Sequence, residues 1–369
     1  MKKIKTEGPF PVVGSQTKTE SPFFYHFPSM EKLSNGDTLL CCKELHGSMN
    51  DPKGTILMFR SLDEGESWEK VLSPTCHDET SNPEKGYIMA HVTEIEPEEL
   101  IAVYGLIDTD MNNPMFNPET DGMQNSVIRI TKSFDNGKSW SKPRNIEFES
   151  ADIIVPSKII KLPNGTLGFP CEMHDHWEGG YKEGNCSRFI KSYDKGDTFS
   201  EGEIMAADAG ILYGDARPTF MEGKLVIFLW TLDLSKMKDQ PIHIISTENN
   251  AESWSKPTPI NITTQIMSPM YLDNGLMLAI HQDRFSGNPG LKAILSFDNG
   301  VNWDQTSEKT LYGADNKPDG TNPFAQFNQF QFGYSSLLKT GENSCLASFW
   351  HSNGVTTSIS VMKISVEDV

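Results

Sequence analysis

The sequence has 369 residues, of which 37% are hydrophobic and 22% are charged, and its formal net charge is −18. This excess of negative charge argues against a nucleic acid or an anionic membrane as partner, because such partners need clustered lysine and arginine. No window approaches about 18 uninterrupted apolar residues, so we expect no membrane span.

The N-terminal segment and the cysteines bear on the cellular compartment. MKKIKTEGPFPVVG starts with basic residues but has no apolar stretch behind them, so we expect no signal peptide. The six cysteines are scattered without a CxxC pair, which predicts buried thiols in a reducing compartment. These features predict a cytoplasmic protein, or a secreted one if a leader has been removed. We expect neither a metal nor a cofactor.

Along the chain, one short pattern recurs in which serine, aspartate, glycine and an aromatic residue keep the same offsets. The clear copies are RSLDEGESWEK (60–70), KSFDNGKSWSKP (132–143), KSYDKGDTFSEG (191–202) and LSFDNGVNWDQ (295–305). A degenerate copy, ISTENNAESWSKP (245–257), has Glu248 or Asn249 in place of the aspartate and Ala251 in place of the glycine. The serines that open the copies are then Ser61, Ser133, Ser192, Ser246 and Ser296.

The chemistry of this pattern explains why it recurs. An Asp-x-Gly turn requires a residue that tolerates a positive φ, and glycine does so. The serine and aspartate side chains can bond turn amides that no sheet partner reaches. Each copy follows an alternating apolar run such as TILMFRS or SVIRITKS, so the pattern predicts a hairpin between two strands. Two further strand candidates precede each hairpin, and six such sets of strands follow one another along the chain, the last of them without the pattern.

The pattern is the Asp box, and nearly the whole chain resembles the sialidase-like superfamily of Asp-box (BNR-repeat) proteins. The resemblance implies an all-β fold, a six-bladed β-propeller with four antiparallel strands per blade. We expect a single domain over residues 1–369. In it, residues 1–20 or so, with a strand near Ile4–Val13, close the ring as the outer strand of the last blade.

The direction of the strands predicts which face of the propeller carries function. If the strands of a blade are named A to D from the axis outward, the Asp boxes are C–D turns on one face. The long, irregular B–C loops then lie on the other face, together with the starts of the A strands. Seven of the nine histidines fall there. They are His26, His46, His91, His174, His176, His281 and His351. We therefore expect a polar binding site on that face.

Two segments match places where sialidases carry catalytic groups. FGYSSLL resembles the sialidase Tyr-Ser-x-Leu, which makes Tyr334 the implied phenolate nucleophile; an ordinary hydrogen-bonded strand tyrosine is the alternative. YGDARPTF resembles the segment whose glutamate pairs with that tyrosine. Arg217 stands there before the proline, and Asp215 can take the part of the glutamate. Alternatively, Asp215 and Arg217 form a structural ion pair.

The first blade departs from the family. Sialidases open with an Arg-Ile-Pro segment whose arginine grips the substrate carboxylate, but FYHFPSM has His26 at that place. The glutamate that supports this arginine is also replaced, by Trp350 and His351 in ASFWHSN. Because both members of one charge pair are missing together, we interpret the pocket as rebuilt for another sugar or another orientation. Arg217 and Arg284 remain as anchors for a carboxylate.

Several residues are candidates for the general acid and for the rest of the pocket. By its position in the first B–C loop, the resemblance implies Asp51 as the acid, with Glu44 and His46 as rivals nearer the strand end. His91 is a further candidate for proton transfer. His174 and His176 share one side if their strand continues that far, and they are candidates for proton transfer or hydrogen bonding. A metal site with a carboxylate as third ligand, for which two histidines alone are weak evidence, and purely structural roles are the alternatives. The remaining predicted substrate contacts are His26, His281, His351, Trp230 and Trp350.

Three functions are compatible with these residues. The first is a glycoside hydrolase that acts on a terminal, acidic sugar of an oligosaccharide or glycoconjugate. The second is a propeller polysaccharide lyase, in which a histidine and a tyrosine remove the C5 proton of a uronate. The third is a glycan-binding propeller without catalysis. Hydrolysis is the preferred hypothesis, and the sequence predicts neither the sugar and its linkage nor the oligomeric state.

Overall fold

The computed structural model describes residues 2–14, 23–46, 53–78, 85–108, 115–117, 119–120, 122–146, 152–155, 157–180, 185–314 and 329–368. The elements of this part of the chain are β-strands, which form six separate antiparallel sheets. It contains no helix long and apolar enough to cross a membrane.

The first three sheets follow the chain order, and each runs from the axis of the molecule outward. Blade one contains β2 (Phe23–Lys32), β3 (Thr38–His46), β4 (Thr55–Ser61) and β5 (Glu69–Val71). Blade two contains β6 (Lys85–Glu96), β7 (Glu99–Asp108), β8 (Ser126–Ser133) and β9 (Arg144–Ile146). Blade three contains β10 (Asp152–Ile154), β11 (Ile160–Lys161), β12 (Leu167–His174), β13 (Cys186–Ser192) and β14 (Ser200–Ala206). Its inner strand is divided, because β10 and β11 both pair with β12.

The last three sheets complete the ring. Blade four contains β15 (Ile211–Met221), β16 (Lys224–Asp233), the short β17 (Lys238–Asp239), β18 (Pro241–Thr247) and β19 (Thr258–Thr263). Blade five contains β20 (Met267–Asp273), β21 (Leu276–Asp283), β22 (Gly290–Ser296) and β23 (Trp303–Gly313). Blade six contains β24 (Phe332–Gly341), β25 (Ser344–Ser352), β26 (Thr357–Asp368) and β1 (Lys2–Gly14). The predicted all-β, six-bladed propeller with a four-stranded meander in each blade is confirmed.

The ring is closed by strands from the two ends of the chain. β1 runs antiparallel to β26, with Ile4 opposite Val366. Both side chains are buried in the apolar cluster between blades five and six. Because β1 covers the outer edge of β26, the last blade has the same four strands as the others, and the closure ties the ends together without a covalent bond.

The serine–aspartate turns join the third and fourth strands of the blades, as the sequence predicts. In blade two, Ser133 Oγ accepts from Gly137 N at 2.8 Å and donates to Asp135 Oδ1 at 2.8 Å. Asp135 Oδ1 also accepts from Ser139 N at 2.8 Å. The same bonds recur in the turns of blades one, three and five. Each turn is thus held by side chains that are local in sequence.

In the degenerate copy in blade four, the turn motif has a different register from the one that the sequence suggested. Thr247, not Ser246, has the role of the opening serine, since its hydroxyl accepts from Ala251 N at 3.2 Å. Asn249, not Glu248, has the role of the aspartate and accepts from Ser253 N at 3.1 Å. The glycine position is Ala251, at φ 62. Ser246 and Thr247 both offer a hydroxyl, so only the turn geometry distinguishes them.

Apolar side chains fill the layers between neighbouring blades. The Trp303 ring of blade five, for example, packs edge-on against Phe228 of blade four at 6.1 Å between centroids. All six cysteines are free thiols, and five of them are buried in these layers. Cys76 is exposed, contrary to the prediction, because it lies in the loop after β5 rather than in a strand.

Candidate active site

Irregularities in three inner strands shape the site at the hub. In β2, β15 and β24 the register slips near the start of the strand, and a residue with positive φ lies at each slip: Phe27 (φ 56), Asp215 (φ 46) and Tyr334 (φ 39). Such conformations are rare for residues other than glycine, and they cluster at functional sites because a bulge redirects side chains. Two of these three residues are sequence-predicted catalytic candidates.

Tyr334 and Arg217 meet across the hub from blades six and four. The guanidinium carbon of Arg217 lies 4.3 Å from the centre of the Tyr334 ring, and Phe27 meets the same ring edge-on at 5.0 Å. The Tyr334 hydroxyl donates to the sulfur of Met89, an inner-strand residue of blade two, at 2.9 Å. Burial raises the pKa of Tyr334 above its ordinary range, and the positive charge of Arg217 opposes this only in part.

Asp215 lies beside a second carboxylate, that of Glu172 at the end of β12. The backbone N–H of Asp215 donates to Glu172 Oε1 at 2.6 Å. Arg217 Nη2 lies 3.7 Å from Asp215 Oδ1. Burial raises the pKa of Asp215 from 3.8 to about 7; Arg217 opposes the rise and the negative charge of Glu172 adds to it. At neutral pH this carboxyl group therefore holds a proton for a large part of the time.

Sequence reasoning missed Glu172. Its signal was the alternation of Glu172, His174 and His176 in EMHDHWEGGYKEGNC, which places the three side chains on one face of the strand. His174 Nε2 lies 3.5 Å from Glu172 Oε2 and is almost fully buried. His176 is farther out, partly exposed, with Nδ1 2.9 Å from Asp152 Oδ2.

Arg284 directly follows the second strand of blade five, which ends at Asp283, and extends the charged group. Its guanidinium carbon lies 3.6 Å above the Phe330 ring, and its Nη1 donates to Gln265. Burial lowers the pKa of Arg284, while the nearby charges of Asp239 and Asp215 oppose that change. Trp230 donates from Nε1 to Asp239 Oδ1 at 2.8 Å, so its indole is part of the wall around this group.

His91 is buried, and both of its ring nitrogens have partners. Nε2 lies 3.3 Å from the carbonyl oxygen of Val155, which only accepts, so Nε2 carries the hydrogen. Nδ1 then accepts from Ser29 Oγ at 2.9 Å. Burial lowers the pKa of His91 to about 3, with the charge of Arg217 as the next cause. The imidazole is therefore neutral, and its basic nitrogen already has a donor.

Among the first-blade candidates, His26 is enclosed. His26 is 0% exposed, and its ring lies 4.8 Å from the Trp350 ring of blade six. Burial, and then the charge of Lys43, lowers the pKa of His26 to about 3. Burial raises the pKa of Tyr25, and the charge of Glu44 and its hydrogen bond with the phenol add to the rise. Asp51, the predicted general acid, lies outside the described residues.

The two remaining histidine candidates bond to side chains on the outer half of their blades. His281 Nε2 lies 3.1 Å from Glu308 Oε2 on β23, and His351 Nε2 lies 2.9 Å from Ser360 Oγ on β26. The structure therefore brings together Tyr334, Asp215, Arg217, Glu172 and Arg284 at the hub and directs His281 and His351 elsewhere. Within the described residues, no group of three or more His, Cys, Asp or Glu could hold a metal ion.

Comparison with known proteins agrees with this architecture. Residues 114–345 match the family described as BNR repeat-like domain. A sialidase of Bacteroides fragilis (strain YCH46) is 23% identical over 293 residues, covering 70% of this chain and 50% of that protein. The chain thus spans about half the length of this curated relative.

Solved structures share the fold at low identity. The NanB sialidase from Streptococcus pneumoniae superimposes with a TM-score of 0.66 at 13% identity, over 98% of this chain and 71% of that one. The α-L-arabinofuranosidase Arb93A from Fusarium graminearum gives a TM-score of 0.66 at 11% identity, over 98% of both chains. Because the family match extends over more than half of the sequence, this chain belongs to the BNR repeat-like domain family and is a sialidase-like six-bladed propeller.

Proposed function

We propose that the protein is a glycoside hydrolase that removes a terminal acidic sugar from an oligosaccharide or glycoconjugate. The observation that carries the proposal is the grouping, at the hub, of a carboxyl group with a pKa of about 7 and two arginines from blades four and five. A glycosidase needs a carboxylic acid that is still protonated near neutral pH, so that it can give its proton to the leaving oxygen.

The charges of these groups predict the role of each group in the reaction. Arg217 and Arg284 are cations in a buried setting, where a forked guanidinium binds a sugar carboxylate strongly. Asp215, whose raised pKa keeps part of its population protonated at neutral pH, donates to the glycosidic oxygen. The relatives support carbohydrate chemistry in this family, since a sialidase and an arabinofuranosidase are among the proteins that it resembles.

The geometry favours hydrolysis over elimination. A lyase requires a base that removes the C5 proton, and His91 is a buried inner-strand histidine on which the charge of Arg217 acts. Its Nδ1 already accepts a hydrogen bond from Ser29 Oγ. A pure binding module, for its part, has no need of a buried aspartate that takes up a proton near pH 7.

The experiment is a substrate panel. Purified protein is incubated with 4-methylumbelliferyl glycosides of N-acetylneuraminic, glucuronic and galacturonic acids, and with the neutral α-L-arabinofuranoside. Hydrolysis of an acidic glycoside, lost in Asp215→Asn, supports the proposal. Ultraviolet-absorbing unsaturated products from a 4-linked polyuronide would indicate the lyase. Thermal stabilisation by free acidic sugars without any turnover would indicate a binding protein, and either result would contradict hydrolysis.

A further inference from the structure

We infer that Gln265 is a specificity-determining residue of this site, because its neutral amide orients Arg284 without cancelling the charge of the guanidinium. Arg284 and Gln265 together then take a carboxylate of the ligand, which serves as the counter-ion of the arginine. The inference rests on the proposed function for the sugar that carries this carboxylate, and it adds the residue that sets the charge of the ligand.

The contact between the two side chains joins the start of blade five to the end of its second strand. Gln265 lies two residues before β20, and Arg284 directly follows β21. Arg284 Nη1 donates to Gln265 Oε1. A guanidinium offers only donors, so this contact fixes the amide of Gln265 with its oxygen toward Arg284 and its nitrogen away from it.

The backbone around this contact is held independently of the two side chains. Thr264 Oγ1 donates to the carbonyl oxygen of Gln282 at 2.8 Å and accepts from Gln282 N at 3.2 Å. Thr264 is buried and directly precedes Gln265, and Gln282 is two residues before Arg284. A change in the side chain of Gln265 therefore leaves this connection between the two segments in place.

Arg284 is a buried cation whose direct partners are uncharged. Its side chain stacks on Phe330, and the residue is only 5% exposed. Among the described residues Arg284 takes part in no ion pair, and its Nε has no hydrogen-bond acceptor. Burial lowers the pKa of Arg284 to about 9, although the charges of Asp239 and Asp215 oppose the change. These two carboxyl groups thus compensate the cation only in part.

Such an arrangement favours an anion as ligand. A charge in the interior without a contact counter-ion is costly, and an ion that pairs with it recovers part of that cost. Gln265 Nε2 donates to no residue that the structure describes, so the amide adds donors to those of the guanidinium. A carboxylate only accepts hydrogen bonds and fits a set of donors, whereas a sugar hydroxyl also has a proton to donate.

A glutamate at position 265 would have the same shape and the opposite effect. It would pair with Arg284 permanently, and a ligand carboxylate would meet a negative charge where the amide now offers donors. The glutamine thus provides the orientation of Arg284 and leaves its neutralisation to the ligand. Gln265→Glu is therefore the substitution that tests the inference.

The first test needs no ligand and consists of thermal melting of the free protein at pH 7. Gln265→Glu gives the buried cation a contact counter-ion, so its Tm should exceed that of the wild type by at least about 2 °C. Gln305→Glu adds the same charge at an exposed position of β23 and is the matched control, with an unchanged Tm. A Tm of Gln265→Glu equal to or below that of the control would show that Arg284 already has its counter-ion, and would overturn the inference.

The second test compares acids with their own methyl esters, which have the same sugar but no charge. The Kd values of glucuronic acid, N-acetylneuraminic acid and the two esters are measured by titration calorimetry. The wild type should bind at least one acid more tightly than its ester. In Gln265→Glu the ratio of the ester Kd to the acid Kd should fall at least about tenfold.

Gln265→Leu separates the charge of residue 265 from its hydrogen bond. Leucine removes the acceptor of Arg284 Nη1 but adds no charge. Acid and ester should both bind more weakly, and the preference for the acid should remain. A ratio that falls as far in Gln265→Leu as in Gln265→Glu would show that only the packing at this position matters, and would overturn the inference.

The outcomes distinguish the inference from the proposed function. A wild type that prefers an acid to its ester, loses that preference in Gln265→Glu and hydrolyses no glycoside supports the inference and overturns the proposed function. A wild type that hydrolyses an acidic glycoside, with the same ratio of Kd values in Gln265→Glu, overturns the inference alone. A wild type that prefers neither acid to its ester also overturns the inference, since the cation then takes no carboxylate.

Discussion

The guanidinium of Arg217 lies 4.3 Å from the centre of the Tyr334 ring, although the two residues come from the inner strands of blades four and six. Blade five lies between these blades in the ring, so the contact crosses the hub. The same arginine is 3.7 Å from Asp215 Oδ1. One cation thus joins an aromatic face and a carboxyl group at the centre of the propeller, and the predictions below test the groups around it.

We predict that Arg284→Lys weakens the binding of acidic sugars selectively. Lysine keeps the charge but loses the forked hydrogen bonds and the stacking on Phe330. The Kd for glucuronic acid, measured by titration calorimetry, should rise roughly tenfold or more, and the Kd for glucose should not change. Arg144→Lys, on the outer strand β9, is the control and should leave both constants as they are. Equal weakening for both sugars would contradict a carboxylate-binding role.

Asp215→Asn is predicted to stabilise the protein at alkaline pH. The pKa of Asp215 rises from 3.8 in the unfolded chain to about 7 in the fold. Between these values the folded state binds more protons than the unfolded state, so stability falls as pH rises from about 4 to 7. The asparagine in the variant does not titrate. Its free energy of unfolding relative to the wild type should therefore rise by up to about 4 kcal/mol between pH 4 and pH 8.

Urea denaturation of both proteins at the two pH values measures this difference. Both proteins share all the other titrating groups, so the contributions of those groups to the free energy of unfolding cancel in the comparison. A difference that stays constant with pH would show that Asp215 is ionised normally in the fold.

His26→Arg is predicted to destabilise the fold rather than to restore a sialidase-like arginine. The His26 ring is fully buried and neutral, and its pKa is lowered to about 3 by burial and by Lys43. A guanidinium there would place a second permanent positive charge beside Lys43 in the interior. The expected loss is about 3–5 kcal/mol in urea denaturation, with no gain of sialoside cleavage. His26→Gln, which is neutral, should lose clearly less, and similar losses for both would refute the charge argument.

Asn249→Asp should stabilise the turn of blade four at neutral pH. In the related turns the serine or threonine bonds lower the pKa of Asp63 and Asp194 to about 2. An aspartate at position 249 would accept the same bonds from Thr247 and Ser253. Because its folded pKa would lie below its unfolded value, the gain is present above about pH 4 and is lost as pH falls toward 2.

Thermal melting at pH 7 and at pH 2.5 measures that gain, which should be about 0.5–1.5 kcal/mol. Ser246→Ala is the control for the register, since Thr247 carries the turn hydroxyl. A larger loss from Ser246→Ala than from Thr247→Ala would contradict the register.

The sequence predicted the architecture because the features that specify it are local. The hydroxyl, carboxylate and glycine of each turn are within five residues of one another, as Ser133, Asp135 and Gly137 show. Alternation of apolar residues then sets the strands on either side. The same locality left one ambiguity, in blade four, where Ser246 and Thr247 are adjacent and offer the same group.

The site could be predicted only in part. Tyr334, Asp215, Arg217 and Arg284 were singled out from the sequence, and they do lie in one buried group. Glu172 was not, although it alternates with His174 and His176; its contact with a backbone N–H of the next blade follows from the tertiary structure alone. His281 and His351 occupy the expected strand ends, but their rings bond to Glu308 and Ser360 on outer strands.

By itself, then, the sequence determined the repeats and the turns, since each depends on residues close together along the chain. The tertiary structure decided which side chains share the hub. There, slips in register at Phe27, Asp215 and Tyr334 set the direction of the side chains. Burial from several blades then sets the protonation of Asp215, and neither effect can be read from one strand alone.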